Sequence, residues 1–256
     1  MLREETDDRY RYLVRNGTIH FVESDTLTIY VELSQIPNVF IVYRRPSERI
    51  QNAEKLNLES RGLKHVPLLE GEEKLKQLNL TQNEITKIEN IVSLPSLNFL
   101  DVSQNKLQEI SKLPASSHLR VMILSKNFIN TIENLDELPN LDVLDLHDNR
   151  ILKLENLACL QNLRILNLSN NLITVLDLQH TLKNLQELNL RKNFISNVRT
   201  IANQPALQRL YLSNNKLSSL ENLNNMPVLS EITLENNPIE KLGTLLKDLR
   251  ARFPTL

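Results

Sequence analysis

One asparagine returns every 22 residues through most of this chain: Asn83, Asn105, Asn127, Asn149, Asn171, Asn193, Asn215 and Asn237. Each sits at the same place in a frame. The frame reads Leu75-x-x-Leu78-x-Leu80-x-x-Asn83-x-Ile85-x-x-Ile88 in one unit and Leu97-x-x-Leu100-x-Val102-x-x-Asn105 in the next. Arg61 holds the place one period earlier, after Leu56 and Leu58, which makes nine units with no insertion. Self-similarity at a short fixed period marks a solenoid, in which each unit buries its apolar face only against its neighbours.

The frame predicts the local structure. The Leu-x-Leu pair has period two, so both side chains point to one face of a short strand. Strands of successive units stack about 4.8 Å apart into a parallel sheet. The asparagine turns the chain out of the strand, and its amide has donors and an acceptor for backbone groups the turn leaves unpaired. On the return half, Ile85, Ile88, Ile91, Leu94 and Leu97 recur every three residues, as do Ile151, Leu154, Leu157, Leu160 and Leu163. A three-residue period fits 3₁₀ turns better than an α-helix. Pro95, Pro139, Pro205 and Pro227 fall two residues before the next frame and stop any helix there. Ser116, Gln179 and Gln204 interrupt the apolar three-step, so the convex side is expected to be less regular near them.

The fold class is therefore an α/β solenoid. It is a horseshoe of nine 22-residue units with a parallel concave sheet and a 3₁₀ or irregular convex side, spanning 51–242. The two ends differ from the units. In 1–50, Tyr12 and Val14 alternate with polar residues, Asn16-Gly17 follows, and Ile19 and Phe21 alternate again, the pattern of a hairpin. Leu27 to Leu33 and Val39 to Tyr43 read as two more strands, giving a small β-meander that either caps the first unit, the favoured reading since that unit otherwise lacks cover, or serves as a docking module. At the other end, Leu242, Leu245, Leu246, Leu249 and Phe253 form a helical apolar stripe stopped by Pro254. Residues 243–256 are thus expected to be a capping helix and its end, the alternative being that the stripe meets a partner helix.

Composition limits the chemistry. Thirty Lys and Arg face 31 Asp and Glu, a net charge of −1, which argues against a general polyanion binder such as a nucleic-acid protein. Four glycines, no tryptophan and 4% aromatics leave little for a phosphate loop or an aromatic cage, so neither a cofactor nor a small-molecule substrate is expected. The single cysteine, Cys159, excludes an intrachain disulfide and reads as a small packed thiol. The charged N-terminus has no apolar leader and no run reaches membrane-span length, so a cytoplasmic setting is expected, with Asn79-Leu80-Thr81 left unglycosylated. His147 and Asp148 are adjacent on the concave side. Either they are an acid–base pair or two solvated residues. Strand alternation sets such neighbours on opposite faces and no nucleophile is read in the adjacent frame, which favours the second and a non-enzyme.

The residue between the two outer leucines runs Lys55, Gln77, Phe99, Val121, Val143, Ile165, Glu187, Arg209, Glu231 along the units. Phe99, Val121, Val143 and Ile165, with Ile123 in the next column, form an apolar stripe with a polar rim, the composition of a partner-binding patch.

The frame Leu-x-x-Leu-x-x-Leu-x-Leu-x-x-Asn-x-Ile resembles the leucine-rich repeats of the SDS22-like class. Residues 54–75, Leu141 to Asn149 and Leu229 to Ile239 are similar to the leucine-rich-repeat subunits of the tubulin polyglutamylase complex. The resemblance implies a non-catalytic scaffold at microtubules, cilia or centrosomes that holds a tubulin-tyrosine-ligase-like glutamylase and sister subunits. The same class implies two alternatives, a regulator of a protein phosphatase 1 catalytic subunit or an axonemal dynein-associated protein. That family carries a long C-terminal extension that 1–256 does not contain. The near-neutral charge makes one prediction: the isolated chain binds acidic tubulin tails weakly. A tight interaction that collapses with added salt, measured by titration of tail peptides, contradicts it.

Overall fold

A computed structural model describes residues 28–32, 40–44, 46–69, 71–116, 118–178, 180–201, 203–221, 223–240 and 242–256. Each unit contributes one three-residue strand to the concave side: β3 (Lys55–Asn57), β5 (Gln77–Asn79), β6 (Phe99–Asp101), β7 (Val121–Ile123), β8 (Val143–Asp145), β10 (Ile165–Asn167), β12 (Glu187–Asn189), β13 (Arg209–Tyr211) and β14 (Glu231–Thr233). The nine pair in chain order into one sheet. Every pairing is parallel and joins residues one period apart, as in Leu78↔Leu100 and Leu166↔Leu188. The middle residue of each strand points inward, and Leu56, Leu78, Leu100, Met122, Leu144, Leu166, Leu188 and Leu210 are buried in one continuous core.

The convex side closes each unit by single turns. Leu94 N–H donates to Ile91, Leu97 to Leu94, Leu138 to Leu135, Leu160 to Leu157 and Leu185 to Leu182, all at 3.0–3.2 Å. These bonds reach back three residues, from one core position to the previous one, which is why the apolar period is three. Among the described residues only Arg199–Ile201 extends this into a 3₁₀ helix, and β9 (Lys153–Leu154) pairs with β11 (Val175–Leu176) beside it. At Ser116 the convex wall opens into a groove lined by Val92, Pro95, Leu113, Pro114 and His118. Gln204 falls in the unit that carries the 3₁₀ helix. It is buried in the apolar slot, and its side-chain oxygen accepts the Leu182 N–H at 2.9 Å. Gln179 lies outside the described residues.

One backbone feature recurs in all nine units. The residue before each asparagine position, Ser60, Gln82, Gln104, Lys126, Asp148, Asn170, Lys192, Asn214 and Asn236, has φ between 55° and 60°. The left-handed conformation costs a non-glycine residue on the order of 1 kcal/mol. In the first eight units the N–H there donates to the next unit, as from Gln82 to Ser103 at 3.1 Å and from Lys126 to His147 at 2.9 Å, and Asn236 in the last unit adopts the conformation without that bond.

At the N-terminal end, β1 (Thr28–Glu32) and β2 (Phe40–Arg44) pair antiparallel, and β2 pairs in parallel with β4 (Leu68–Leu69) on the first unit. The hairpin read at Tyr12 to Phe21 lies outside the described residues. The helix α1 (Pro46–Gln51) joins β2 to β3. The join is pinned by a buried ion pair. Arg44 Nε donates to Glu72 Oε1 at 2.9 Å, a second bond joins Nη2 to Oε2, and Nη1 reaches the carbonyls of Asn52 at 2.8 Å and Lys55 at 3.0 Å. Arg49 Nε stands 3.3 Å from the same carboxylate. Gly71 has φ +71°, a left-handed backbone that favours glycine, and Arg49 Nη1 packs 2.7 Å from where a Cβ would stand. At the other end, α2 (Leu242–Arg252) places Leu249 in the core cluster, with Phe253 just after it. Arg252 Nη1 donates to the carbonyls of Leu220 and Glu221 at 3.0 Å.

The ion pair makes a prediction. Glu72→Ala leaves a buried guanidinium without its counter-charge and is expected to cost about 3–5 kcal/mol in urea unfolding. The double change Arg44→Met with Glu72→Leu is expected to recover most of that loss. A loss below about 1 kcal/mol for the single change contradicts the buried pairing.

Candidate functional site

The concave surface is built in columns because the sheet register is one unit per strand. Phe99 pairs with Val121, Val121 with Val143 and Val143 with Ile165. The structure thus brings together the four residues of the apolar stripe, all half-buried, over about 14 Å at the usual strand spacing. Ile123 lies one column away, between Asp101 and Asp145 in the register. The stripe is bounded by Lys55 and Gln77 on one side and by a charged block on the other. In that block Arg209 Nε donates to Glu187 at 2.8 Å, and the carboxylate holds the guanidinium pKa above its ordinary value. Arg191 stacks 4.1 Å above the Tyr211 ring, and the Tyr211 hydroxyl donates to Glu231 at 3.3 Å. Burial and then the nearby carboxylates push that phenol upward. The Ser213 hydroxyl donates to Glu235 and holds its carboxyl below the ordinary value.

Behind the strands, the periodic asparagines form a cross-unit ladder. Asn149 Nδ2 donates to the carbonyls of Leu124 at 3.0 Å and Leu146 at 3.0 Å, and its Oδ1 accepts the Ile129 N–H at 3.0 Å. Two of those three bonds reach the preceding unit. Asn83, Asn105, Asn127, Asn171, Asn193 and Asn215 repeat the pattern and are 4–7% exposed. Asn237, in the last unit, makes the same bonds at 2.9 Å but is only half-buried, since no tenth unit covers it. Arg61 is exposed, and its N–H donates to Asn83 Oδ1 at 3.0 Å. A second set stands on the convex side. Asn90, Asn134 and Asn156 are left-handed and donate to Val66, Ile110 and Ile132 at 2.7–2.8 Å.

His147 departs from the alternation read in the sequence. β8 ends at Asp145 and Asp148 is left-handed, so Asp145 and Asp148 both approach the ring. Nδ1 lies 2.8 Å from Asp145 and Nε2 3.6 Å from Asp148. Serines do occupy the same position in the units on either side, at Ser125 and Ser169, contrary to the expectation of no nucleophile there. Neither is hydrogen-bonded to the ring, and the Ser169 hydroxyl donates to Asn167 at 2.9 Å. Cys159 is half-buried against the core, and burial raises its thiol pKa from 9.0. Among the described residues no group of three or more His, Cys, Asp or Glu is placed to hold a metal ion. No helix among them is long and apolar enough to cross a membrane.

The structure also exposes side chains that a column reading confined to the strands passes over. Phe128, Leu152, Leu172, Val175 and Phe194 stand on the flank where the chain leaves the asparagine ladder. The signal was present: Phe128, Leu172 and Phe194 each follow a periodic asparagine directly.

Residues 73–115, 161–203 and 205–247 match the family model described as Leucine Rich repeats (2 copies), together half of the chain. Among solved structures, internalin C2 of Listeria monocytogenes is 29% identical with a TM-score of 0.60, over 71% of this chain and 79% of that one. A chain of the LRIM1/APL1C complex is 24% identical with a TM-score of 0.58, over 72% of this chain and 38% of that one. The internalin inlF of the same Listeria species is 24% identical with a TM-score of 0.53, over 66% and 57%. The two likenesses at 24% identity concern the fold alone. No curated protein matches the chain.

The ladder predicts a graded cost. Asn149→Ala strands buried backbone groups in two units and is expected to cost on the order of 1–3 kcal/mol in chemical unfolding. Asn237→Ala, beside solvent, is expected to cost less. Equal costs at both positions contradict the assignment of the bonds to inter-unit stacking.

Proposed function

The chain belongs to the leucine-rich-repeat family, and on that premise we propose that it is a non-catalytic scaffold that holds a protein partner on its concave face. The observation that carries this reading is the stripe of Phe99, Val121, Val143 and Ile165, aligned strand by strand in mid-sheet. Ile123 widens it. Half-buried apolar side chains on a rigid sheet offer area for burial without an ordering cost to this side of the interface. The polar rim of Asp101, Asp145, Arg209 and Glu187 supplies orientation and register.

The partner class follows from the similarity of residues 54–75, 141–149 and 229–239 to the tubulin polyglutamylase subunits. On this reading the chain is a structural subunit that positions a tubulin-tyrosine-ligase-like glutamylase at microtubules or cilia and contributes no catalytic group. The alternatives carried by the same repeat class, a phosphatase 1 regulator and an axonemal dynein-associated protein, use the same face against another partner.

Affinity purification from ciliated cells tests both levels. The unaltered chain is expected to bring down ligase-like subunits, and Val143→Glu is expected to lose them while its thermal unfolding stays unchanged. A charge in mid-stripe should cost at least about tenfold in affinity. Recovery of phosphatase or dynein subunits instead moves the chain to an alternative partner. Full binding by a folded Val143→Glu variant removes the concave stripe from the interface.

A further inference from the structure

The flank beside the asparagine ladder carries a second surface, independent of the concave stripe. Phe128, Leu152, Leu172, Val175 and Phe194 are 40–53% exposed and lie in four consecutive units. Large apolar side chains scattered singly on a surface need no explanation, but a contiguous group does. Three of them share one column with Arg150, since Phe128, Arg150, Leu172 and Phe194 are each the residue after a periodic asparagine. The backbone of that column is pinned. The N–H groups of Phe128, Arg150, Leu172 and Phe194 donate to Leu107, Ile129, Ile151 and Ile173 of the preceding units at 2.8–3.0 Å. The ridge is therefore ordered before any partner arrives.

The charge in the two columns flanking the ladder is mainly positive, while Glu133, Glu155 and Asp177 form an acidic column on the far side of Lys153 and Val175. Lys126 and Lys192 stand in the column before the ladder, and Arg150 and Lys216 in the column after it. All four are exposed and form no ion pair among the described residues. Arg150 lies over the Phe128 ring at 4.6 Å, which keeps its guanidinium on the ridge. The two carboxylates in these columns are engaged: Glu84 by Lys106 at 2.9 Å, and Asp148 by the Asn170 amide and, at 3.6 Å, His147. Glu109 stands further out, at the edge of the patch, opposite Lys153 in the same column two units on.

We propose that this flank docks an acidic amphipathic segment of a protein partner. Two or three large apolar side chains of the segment lie along Phe128, Leu172 and Phe194, and its carboxylates meet Lys126, Arg150 and Lys192. Phe128 to Phe194 is three unit steps, about 14 Å, which a helix of about ten residues covers. The four cations set polarity and orientation, and the apolar contact carries the affinity, so a segment that is acidic alone binds weakly. Arg150 serves both parts, because a guanidinium stacked on a ring still offers its edge to a carboxylate. A ridge whose side chains are only 40–53% exposed suits a peptide better than a bilayer, which favours protruding tips.

Selection of short random peptides displayed on phage, against the full chain, tests the proposal. Enriched peptides are expected to carry at least two carboxylates around two or more large apolar residues. Their binding, measured on synthetic copies, is expected to fall at least about tenfold with Phe128→Ser plus Phe194→Ser, and again with Lys126→Glu plus Lys192→Glu. All four sites are exposed, so unchanged thermal unfolding is expected in both variants. Val143→Glu is expected to leave this binding intact, which separates the flank from the concave reading. The proposal is overturned by enriched peptides without carboxylates, by equal binding to the unaltered chain and the double variants, or by tight binding of polyglutamate alone. It is also overturned if the same variants abolish sedimentation with phosphatidylserine vesicles or self-association of the chain, which would assign the ridge to a membrane or to a second copy.

Discussion

Every feature of this chain rests on a side-chain amide that binds across units. An asparagine such as Asn149 donates to a carbonyl of its own unit and one of the unit before, and accepts an N–H from that same earlier unit. Buried polar groups are costly when unpaired, so each amide fixes where the neighbouring coil must lie. Leucines alone supply the burial but not the register, since apolar contact is non-directional. The ladder therefore decides that Leu78 faces Leu100 and not a residue two places away.

Fixed register turns a linear sequence into columns. Residues a unit apart become neighbours about 4.8 Å away, and a surface is composed by choosing one letter per unit. Lys76 with Glu54, Lys106 with Glu84 and Arg164 with Asp142 are ion pairs made this way, at 2.5–2.9 Å. Exposed pairs of this kind add little stability. They hold opposite charges in matched pairs, whereas Lys126, Arg150, Lys192 and Lys216 beside the ladder form no ion pair among the described residues. The concave and flanking surfaces lie on either side of the same ladder, so one rigid frame presents two faces of different chemistry.

Much of this was legible in the sequence because the determinants are local and repeated. The Leu-x-Leu frame, the three-step of Ile85 to Leu97 and the stripe at Phe99 to Ile165 all follow from side-chain period. The left-handed residue before each asparagine was not legible at Gln82, Lys126 and Lys192, which have no intrinsic preference for it and whose N–H groups bond to the next unit. That turn also brings Asp148 to His147, against simple alternation. The pairing of Arg44 with Glu72 spans 28 residues and depends on how β2 meets the first unit, which no periodic pattern encodes. The flank is not legible in the sequence because the position after the asparagine reads as a turn, where Phe128 and Phe194 look like isolated exceptions until the units are stacked.

The cross-unit ladder is the claim on which the columns and both surfaces depend, and amide hydrogen exchange reads it directly. The N–H groups of Ile85, Leu107, Ile129, Ile151, Ile173 and Ile195 lie outside the strands and donate to asparagine side chains. They are predicted to exchange as slowly as the central strand amides Leu144 and Leu166, giving protection that recurs with the period of the sequence. Exchange of these six amides at the rate of open turns, while the strands stay protected, would contradict the account.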